Sequence, residues 1–396
     1  MNNPLFDNGL ARLYHADARS LPIDDGSVDC VVTSPPYFGL RDYGLEEQGI
    51  GLEATPEEFC ANMVKVFREV WRVLKPTGTV WLNLGDSYNG SGGEHKNDAG
   101  QSGLTNNRKA VGFVPGRNLS SLKAKDLMGM PWRVAFALQA DGWYLRSDII
   151  WSKPNPMPES VADRPTKAHE YIFLLTKSPK YYYDSDAIRE RLAPASISRL
   201  QQDVANQVGT TRAHGGAKHN GNLKAAGNIE QGRNKRTVWE IATQPYSEAH
   251  FATFPEDLVE PCILAGSSEK GVCAQCGKPW ERIVEASGGT IGEGSWHDHT
   301  NDMVRGMRDE SHGKSKDGTY KREHMGWDPT CTCTADVVPA TVLDPFAGSG
   351  TTLAVAQKFG RRSVGTDLNR EYLDLATKRL LAIPLPLPNF TEGVKG

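Results

Sequence analysis

Short apolar runs bounded by turn-forming residues recur along the whole chain of 396 residues. Runs of this kind predict buried β-strands, and apolar positions three or four residues apart predict helices between them. Seven runs qualify as strands, namely residues 12–15, 30–33, 80–84, 145–151, 171–176, 341–343 and 363–366.

The clearest helical pattern lies between the second and third predicted strands. Thr55 and Glu58 form a capping box, and Pro56 occupies the first turn, an arrangement that favours the start of a helix. The apolar residues that follow at helical spacing are Phe59, Met63, Val66, Val70 and Leu74. We expect this helix to be closed by residues 76–78, which contain proline and glycine.

Two further helices are predicted at residues 353–359 and 371–381, each directly after a predicted strand. Strands that alternate with helices predict a mostly parallel sheet with helices on both faces. The pattern therefore indicates an α/β fold.

Composition adds limits to this picture. The chain is 38% hydrophobic and 23% charged, with a mean hydropathy of -0.49, which excludes a disordered, collagen-like or coiled-coil protein. Its length predicts one domain with insertions, or two domains. No apolar run approaches the ~18 residues of a membrane span, and the first ten residues lack the features of a signal peptide. We therefore expect a cytoplasmic protein.

The net charge of -3 hides two basic stretches. Residues 185–236 contain nine Lys or Arg against four acids, and residues 88–125 contain six against two. Both are rich in Gly, Asn and Ser, so we interpret them as insertions that leave the core and follow a polyanion. A solvated loop with incidental basic residues is the alternative. The candidate phosphate contacts are Arg212, Lys218, Lys224, Arg233, Lys235 and Arg236.

A glycine-rich turn at residues 344–351 lies between a predicted strand and a helix, where small residues let the backbone approach a ligand. Asp367 closes the next strand, where an acid can accept hydrogen bonds from ribose hydroxyls. The glycine pattern of dinucleotide sites and the lysine of phosphate loops are both missing, which disfavours NAD and ATP. A plain strand-to-helix turn is the alternative. The candidate nucleoside contacts are Asp344, Phe346, Gly348, Gly350, Thr351 and Asp367.

The segment Ser34-Pro35-Pro36-Tyr37 follows the second predicted strand, at the edge where open α/β sheets build their sites. Two prolines remove two N–H donors and leave the carbonyls of Ser34 and Pro35 free to accept. The Ser34 hydroxyl and the Pro35 carbonyl suit the two hydrogens of an exocyclic amino group, and the Tyr37 ring suits stacking on its base. An ordinary proline-containing loop is the alternative.

These two segments together resemble the amino-group DNA methyltransferases that use S-adenosylmethionine. In that family Ser- or Asp-Pro-Pro-Tyr is the catalytic motif, and Phe-x-Gly-x-Gly, matched by Phe346, Gly348 and Gly350, is the cofactor motif. The catalytic motif comes first here, as in the permuted beta class. The resemblance covers most of residues 10–385 apart from the insertions. It implies a Rossmann-like, seven-stranded methyltransferase sheet in circularly permuted order.

The resemblance also assigns weaker positions. Asp17 is similar to the acid that contacts the adenine amino group of the cofactor. Residues 250–255, including Phe254 and Pro255, resemble the segment that folds over its methionine end. Residues 82–86 resemble the strand beside the catalytic one. The stretches that resemble the border of the target-base pocket are 151–156, Arg164 and 169–170.

The implied function is methyl transfer to double-stranded DNA by base flipping and direct in-line attack, without a covalent enzyme intermediate. Ser34 stands where adenine-modifying relatives usually carry Asp, so we expect cytosine N4 as the target, with adenine N6 as the alternative. A restriction endonuclease is a possible partner. The other classes considered are a catalytically silent DNA-binding protein and a methyltransferase that acts on protein glutamine or RNA.

Four of the seven cysteines form two close pairs, Cys273 with Cys276 and Cys331 with Cys333. Two such pairs predict a structural zinc site of four thiolates, in a small module that resembles a zinc ribbon. A disulfide is disfavoured in a cytosolic protein. The histidines of the intervening loop that could replace a ligand are His297, His299, His312 and His324.

These motifs divide the chain into eight segments. The catalytic domain comprises its N-terminal half, its continuation, a cofactor-side segment and a cofactor-binding half. The interruptions are a basic Gly-rich insertion, a target-recognition insertion and the zinc-binding insertion, and a tail follows. In chain order the predicted boundaries are 1–87, 88–130, 131–184, 185–244, 245–270, 271–336, 337–385 and 386–396.

Overall fold

The computed structural model describes residues 3–42, 45, 49–90, 112–113, 119, 122–201, 232–244, 254–287 and 321–385. The helices within these residues are α1 (Pro56–Val73), α2 (Met130–Ala140), α3 (Pro194–Gln201), α4 (Glu256–Gly266), α5 (Thr351–Lys358) and α6 (Arg370–Ala382). The strands are β1 (Phe6–Asp7), β2 (Ala11–His15), β3 (Val28–Thr33), β4 (Arg41–Asp42), β5 (Leu74–Leu84), β6 (Gly112–Phe113), β7 (Tyr144–Ser152), β8 (His169–Thr176), β9 (Val238–Glu240), β10 (Val272–Cys273), β11 (Trp280–Ser287), β12 (Lys321–Pro329), β13 (Val337–Val338), β14 (Thr341–Asp344) and β15 (Arg362–Asp367). None of the helices in the described residues is long and apolar enough to cross a membrane.

Nine strands form one sheet in the order β1-β2-β15-β14-β3-β5-β8-β7-β9. All seven predicted strands belong to it, and two short strands, β1 and β9, extend its edges. Strand β8 is antiparallel to both β5 and β7, and β1 is antiparallel to β2; the other neighbours are parallel. The carboxyl ends of most strands and the amino end of β8 therefore meet at one edge, which we call the carboxyl edge.

The prediction that residues 185–236 leave the core is wrong at both ends of that stretch. Ile188 is buried, and Glu190 pairs with Arg233 through two backbone hydrogen bonds of 2.8 Å. Just beyond it, β9 joins the sheet beside β7, and Trp239 is buried. A strand of three residues is too short to give a periodic signal, so only its packing against β7 reveals it.

Helix α1 starts as predicted, because the Thr55 side chain accepts from the Glu58 N–H at 3.1 Å. Its predicted end is displaced by one residue: the helix stops at Val73, and Leu74 begins β5. Strand β5 then runs through Pro76, since proline forces the residue before it toward extended backbone. Leu74 is buried. It therefore continues the apolar spacing of the helix although it already belongs to β5.

Helices α2 and α4, like the short α3, have no counterpart in the sequence prediction. Helix α2 follows Gly129, whose φ is 67°, and a distant side chain caps it: the Asp86 carboxylate accepts from the N–H groups of Gly129 at 3.1 Å and Met130 at 3.0 Å. Helix α4 contains Pro261, a residue that ordinarily ends helices. Local signals therefore miss both.

Helices cover both faces of the sheet, as the alternation of strands and helices predicts. Val31 of β3 lies in the core beneath α1 and α2, whereas its neighbour Val32 packs with α4 and α5 on the other face. Continuous burial along β3 is what a parallel strand covered on both faces requires.

The chain leaves the centre of the sheet in opposite directions from β14 and β3. From β14 it passes through α5 to β15, and from β3 it passes through α1 to β5, on the other side. Open α/β sheets form their ligand crevice at such a point. At this crevice the Thr33 hydroxyl donates to the Asp344 carboxylate at 2.7 Å. The two candidate motifs therefore meet although about 310 residues of sequence separate them.

Candidate active site

The predicted catalytic segment, residues 34–37, leaves the carboxyl end of β3 and folds toward β5 and β8. The Tyr37 hydroxyl lies 2.7 Å from a Glu170 carboxylate oxygen and 3.0 Å from the Asn83 side-chain oxygen. The Ser34 hydroxyl lies 3.2 Å from the same Asn83 oxygen and 3.3 Å from the Tyr37 hydroxyl. Ser34 and Tyr37 thus share one polar network.

Gly85 provides the space that the Tyr37 ring occupies. A Cβ atom at position 85 would lie 2.5 Å from Cε2 of this ring, so a larger residue would displace the aromatic side chain. The end of β5 therefore holds the ring from one side while Asn83 and Glu170 hold its hydroxyl.

Three members of this network had no catalytic role in the sequence prediction, although the family resemblance placed them near the site. Asn83 is buried near the end of β5, Glu170 lies at the start of β8, and Lys153 follows β7. The Lys153 ammonium forms an ion pair with Glu170 and lies 4.3 Å from the centre of the Trp151 ring. The sequence did not reveal the direction of β8. Because β8 is antiparallel to its neighbours, its amino end lies at the carboxyl edge.

On the cofactor side, the turn at 346–350 has the shape that its glycines predict. Gly348 and Gly350 have φ values of 49° and 77°, and a Cβ on Gly350 would lie 2.9 Å from the Ala376 Cβ. Positive φ and close approach both favour glycine. The Gly348 N–H donates to the Asp367 carboxylate at 2.9 Å, which joins the turn to the next strand.

Asp344 is buried beneath this turn, and its carboxylate accepts hydrogen bonds from three residues on different segments around the crevice. One oxygen accepts from Thr33 at 2.7 Å and from the Phe346 N–H at 3.0 Å, and the other accepts from Thr352 at 2.8 Å. Burial raises the pKa of Asp344 to about 6, although these hydrogen bonds favour the charged form. The side chain braces the crevice between β3 and β14.

A pH-dependent stability follows for the variant Asp344→Asn. The folded protein raises the pKa of Asp344 above its unfolded value, so ionisation costs the folded state stability as the pH rises from about 4 to about 6. The asparagine variant does not titrate. We expect its free energy of unfolding, relative to the natural protein, to rise through this window by up to about 3 kcal/mol and to stay constant above it.

Urea unfolding of both proteins between pH 4 and pH 8 measures this difference. The asparagine can keep the geometry, because its oxygen can accept from Thr33 and Phe346 while its NH2 group faces Thr352. The Thr352 hydroxyl is then free to donate to the Val32 carbonyl, 3.1 Å away. A stability difference that does not change with pH would show that folding does not raise the pKa of Asp344.

The two predicted acids at the neighbouring strand ends differ in their surroundings. Each Asp367 oxygen accepts one backbone N–H, from Gly348 at 2.9 Å or from Asn369 at 2.8 Å, and burial raises its pKa. Each oxygen retains a second lone pair for another donor. Asp17 follows β2 and is paired with Arg19 at 2.6 Å. Burial raises the pKa of Asp17, but the hydrogen bonds from Arg19 outweigh it and the net shift is downward.

Phe254 and Pro255 lie directly before α4, next to both halves of the crevice. Phe254 lines a small cavity together with Thr33 and Asn83. The next residue, Glu256, forms ion pairs with Lys358 and Arg379, and Arg379 donates to the Thr351 hydroxyl at 2.9 Å. Thr351, a predicted cofactor contact, thus holds α6 in this structure. Residues 250–253 lie outside the described part of the chain.

The predicted phosphate contacts are only partly described. Arg233 and Arg236 both pair with Glu190, at 3.1 and 3.0 Å, and the Arg236 side chain is 65% exposed. The Lys235 ammonium lies 4.9 Å from the centre of the Trp239 ring. Arg212, Lys218 and Lys224 lie outside the described residues.

The four predicted zinc ligands come together, with all four sulfur atoms within 4.8 Å of one another. Tetrahedral thiolate coordination places sulfur atoms about 3.8 Å apart, given Zn–S bonds of about 2.3 Å, so the arrangement fits zinc. Gly277, with a φ of 70°, forms the turn after the first pair. Of the four alternative histidines, His324 packs against Trp327, and the other three lie outside the described residues.

This cysteine cluster lies at the amino ends of the strands, opposite the carboxyl edge. The Lys75 ammonium, at the start of β5, donates to the Gly277 carbonyl at 3.0 Å and to Asp29 of β3 at 2.7 Å. Asp29 also accepts from the N–H of Thr341, the first residue of β14, at 2.8 Å. Strand β3 has six residues, or about 20 Å at 3.3 Å per residue, and it separates the cluster from Ser34.

Comparison with known proteins gives consistent matches. The family model for N6- and N4-type methyltransferases, described as DNA methylase, matches residues 28–274 and 338–378. The Type II methyltransferase M.Cfr9I of Citrobacter freundii is 39% identical over 382 residues, 96% of this chain and 90% of that protein. The Type II methyltransferase M.SmaI of Serratia marcescens is 39% identical over 372 residues, 93% of this chain and 90% of that protein.

A solved structure shares the fold. The PvuII DNA methyltransferase, a cytosine-N4-specific protein, is 15% identical, and the match covers 97% of this chain and 90% of that one with a TM-score of 0.50.

Proposed function

Since this chain belongs to the family of N6- and N4-type DNA methylases, we propose that it transfers a methyl group from S-adenosylmethionine to the N4 amino group of cytosine in double-stranded DNA. The observation that supports this most directly is that β3 and β14, the strands that lead into residues 34–37 and into the turn at 346–350, are neighbours whose carboxyl ends are joined by the Thr33–Asp344 hydrogen bond. Ser34 in place of an acid favours cytosine. Adenine N6 is the second candidate, because the family model covers both amino groups.

The chemistry follows from the weakness of the nucleophile. The lone pair of an exocyclic amino nitrogen is delocalised into the ring, so the nitrogen attacks poorly. The Ser34 hydroxyl and the Pro35 carbonyl would accept its two hydrogens and favour a tetrahedral nitrogen, which returns electron density to it. Positioning and electrostatics then supply the catalysis. Tyr37 stacking and phosphate contacts would offset the few kcal/mol needed to flip the base.

A covalent mechanism is not needed, and Cys30 on β3 and Cys60 on α1 do not suit one. Burial raises the pKa of Cys30 to about 12 and that of Cys60 to about 11. A thiol with such a pKa is almost entirely protonated at neutral pH and is a poor nucleophile.

The residues that would hold the cofactor surround the crevice beside β14. Gly348 and Gly350 let the backbone approach it, and Phe346 offers a ring. Asp367 and Asp17 offer acceptors to its ribose and adenine. Phe254 and Pro255 would cover its methionine end. When bound, S-adenosylmethionine supplies the electrophilic methylsulfonium group.

Mass analysis of nucleosides tests the proposal. DNA from a host that expresses the protein should contain N4-methylcytosine, and DNA from a host that expresses the inactive Ser34→Ala variant should not. N6-methyladenine in its place would select the second candidate. Absence of both, with DNA binding intact, would indicate a silent DNA-binding protein.

The basic segment around β9 supplies a prediction about DNA binding. We expect the triple alanine variant of Arg233, Lys235 and Arg236 to bind DNA more weakly and with a flatter salt dependence. Each lost phosphate contact should reduce the steepness of the plot of the log DNA association constant against the log salt concentration by about 0.9. Fluorescence anisotropy between 50 and 300 mM salt measures the slope.

A matched control for this variant is Arg68→Ala. The Arg68 side chain is 67% exposed and pairs with Asp141, as the 65% exposed Arg236 side chain pairs with Glu190. The control should leave the slope unchanged. An unaltered slope in the triple variant would reject the role of this segment.

We also propose that Cys273, Cys276, Cys331 and Cys333 hold one structural zinc ion. Four thiolates leave no open coordination position, so this zinc would stabilise the module without taking part in methyl transfer. The cluster lies at the amino ends of β3, β5 and β14. This position supports a role in stabilising the packing of the strands that carry the crevice.

A partnership with a restriction endonuclease is a further part of the proposal. M.Cfr9I and M.SmaI carry the name Type II methyltransferase, and enzymes of that kind protect sites from a nuclease of the same specificity. DNA modified by this protein should resist one restriction endonuclease that cuts the unmodified site.

A further inference from the structure

The polar network around Tyr37 has a direction, because two of its members can play only one role in a hydrogen bond. An ammonium only donates, so the Glu170 oxygen that faces Lys153 accepts. A carbonyl only accepts, so the group of Asn83 that lies 3.1 Å from the Tyr171 carbonyl is its NH2. The same NH2 group lies 3.3 Å from the second Glu170 oxygen. The orientation of the Asn83 amide follows from these two contacts.

The two hydroxyl groups must then divide the remaining acceptors. Each carries one proton. Tyr37 lies 2.7 Å from the Glu170 carboxylate and 3.0 Å from the Asn83 oxygen, and the shorter contact with the charged oxygen takes its proton. The Ser34 proton then has two acceptors within the network, the Asn83 oxygen at 3.2 Å and the Tyr37 oxygen at 3.3 Å. Ser34 therefore directs its proton inward and keeps its lone pairs for an incoming donor.

We propose that Glu170, fixed by Lys153, is a positioning residue that makes the Ser34 hydroxyl an acceptor for the amino group of the target base. The inference rests on the proposed function, but it holds for cytosine and adenine alike, since both present N–H donors. If the direction of the network reversed, the Ser34 proton would face the amino hydrogens, and two donors would oppose each other.

The variant Glu170→Gln tests the direction, because glutamine has one oxygen and one NH2 group. Lys153 can only donate, so the glutamine oxygen must turn toward it and the NH2 group toward Tyr37. Tyr37 then loses its charged acceptor and turns its proton toward the Asn83 oxygen, where it competes with the longer hydrogen bond from Ser34. The Tyr37 oxygen in turn accepts from the glutamine NH2 group, so both acceptors of the Ser34 proton within the network are weakened. We expect the single-turnover rate at saturating DNA to fall about 100-fold, within the range for misplaced proton acceptors. Binding of S-adenosylmethionine should not change.

A second substitution should restore part of this loss. In the double variant Lys153→Met with Glu170→Gln, no ammonium constrains the glutamine. Its oxygen can turn toward Tyr37 and Asn83, as a Glu170 oxygen does in the natural protein. We expect the double variant to react about tenfold faster than Glu170→Gln alone, the scale of one restored hydrogen bond of about 1.4 kcal/mol. A merely structural role of Glu170 predicts the opposite, because loss of a second side chain would add damage.

The matched control is Glu69→Gln, which breaks an ion pair with Arg72 on α1. It should keep the natural rate. Thermal unfolding and S-adenosylmethionine binding show that each variant is folded. A natural rate in Glu170→Gln would overturn the inference, and so would a double variant no faster than the single one.

A measurement without turnover separates this inference from the proposed function. In the natural protein, NMR should detect hydrogen-bond coupling between the Asn83 side-chain NH2 and the Tyr171 carbonyl. An Asn83 amide in the opposite orientation would overturn the inference even if DNA is methylated. Failure to methylate any DNA would overturn the proposed function while leaving this orientation in place.

Discussion

Replacing Tyr37 with alanine is expected to lower the rate of DNA methylation by about 100-fold, while the dissociation constant for S-adenosylmethionine stays nearly unchanged. Stacking of a base on an aromatic ring contributes about 1–3 kcal/mol, and the flipped base would lose it. The variant also leaves the Glu170 carboxylate without the donor that lies 2.7 Å away in the natural protein. The ring packs against Gly85, and its hydroxyl contacts Asn83 and Glu170, on the side of the crevice formed by β5 and β8.

Single-turnover methylation and calorimetric titration with S-adenosylmethionine measure the two quantities separately. Tyr37→Phe is the matched variant, because it keeps the ring and removes the hydroxyl. We expect its loss to be smaller than that of Tyr37→Ala, since stacking persists. An equal loss of methylation and cofactor binding in Tyr37→Ala would contradict the assignment of Tyr37 to the target base.

Removal of zinc is expected to have the largest effect on stability. Structural zinc contributes about 10–16 kcal/mol to the folding of small zinc-binding peptides, and here it would join two cysteine pairs that are far apart in sequence. The module contacts Lys75, which also pairs with Asp29 in the interior. We therefore expect a strong chelator, or Cys276→Ser, to lower the free energy of unfolding by on the order of 5 kcal/mol.

Metal analysis of the purified protein should find one zinc ion per chain, and denaturant unfolding with and without chelator measures the stability. Cys60→Ser is the control for loss of a thiol, because Cys60 lies on α1, away from the cluster. Absence of zinc from protein purified without chelators would contradict the zinc proposal. Removal of bound zinc with no change in the denaturant concentration at which the protein unfolds would contradict its structural role.

Patterns along the chain identified much of the fold. The seven predicted strands all lie in the main sheet. Central strands such as β3 are buried on both faces and read as continuous apolar runs, whereas β2 and β7 lie farther out and show alternating burial. The start of α1 was also predicted, since the Thr55 cap and the first turn depend on neighbours only three residues apart. The parts that were missed depend on distant contacts: Asp86 caps α2, and β9 forms only against β7.

The candidate site divides in the same way. Its two motifs were visible because each is a short segment whose residue types suit one chemical task, namely proline-framed acceptors at 34–37 and glycines at 346–350. The roles of Asn83, Lys153 and Glu170 were not visible. Glutamate and lysine occur throughout the chain, and nothing in their immediate sequence distinguishes these two from residues on the surface.

The sequence by itself determined that the protein has an alternating α/β sheet, two ligand-facing turns and a cysteine pair at each end of a long insertion. These features arise from interactions between near neighbours. The tertiary structure alone decided that both turns open into one crevice, that the cysteines lie at the opposite end of the strands, and that Glu170 reaches Tyr37 across 133 residues of sequence. Such contacts form only when the sheet brings strand ends together, so no local pattern records them.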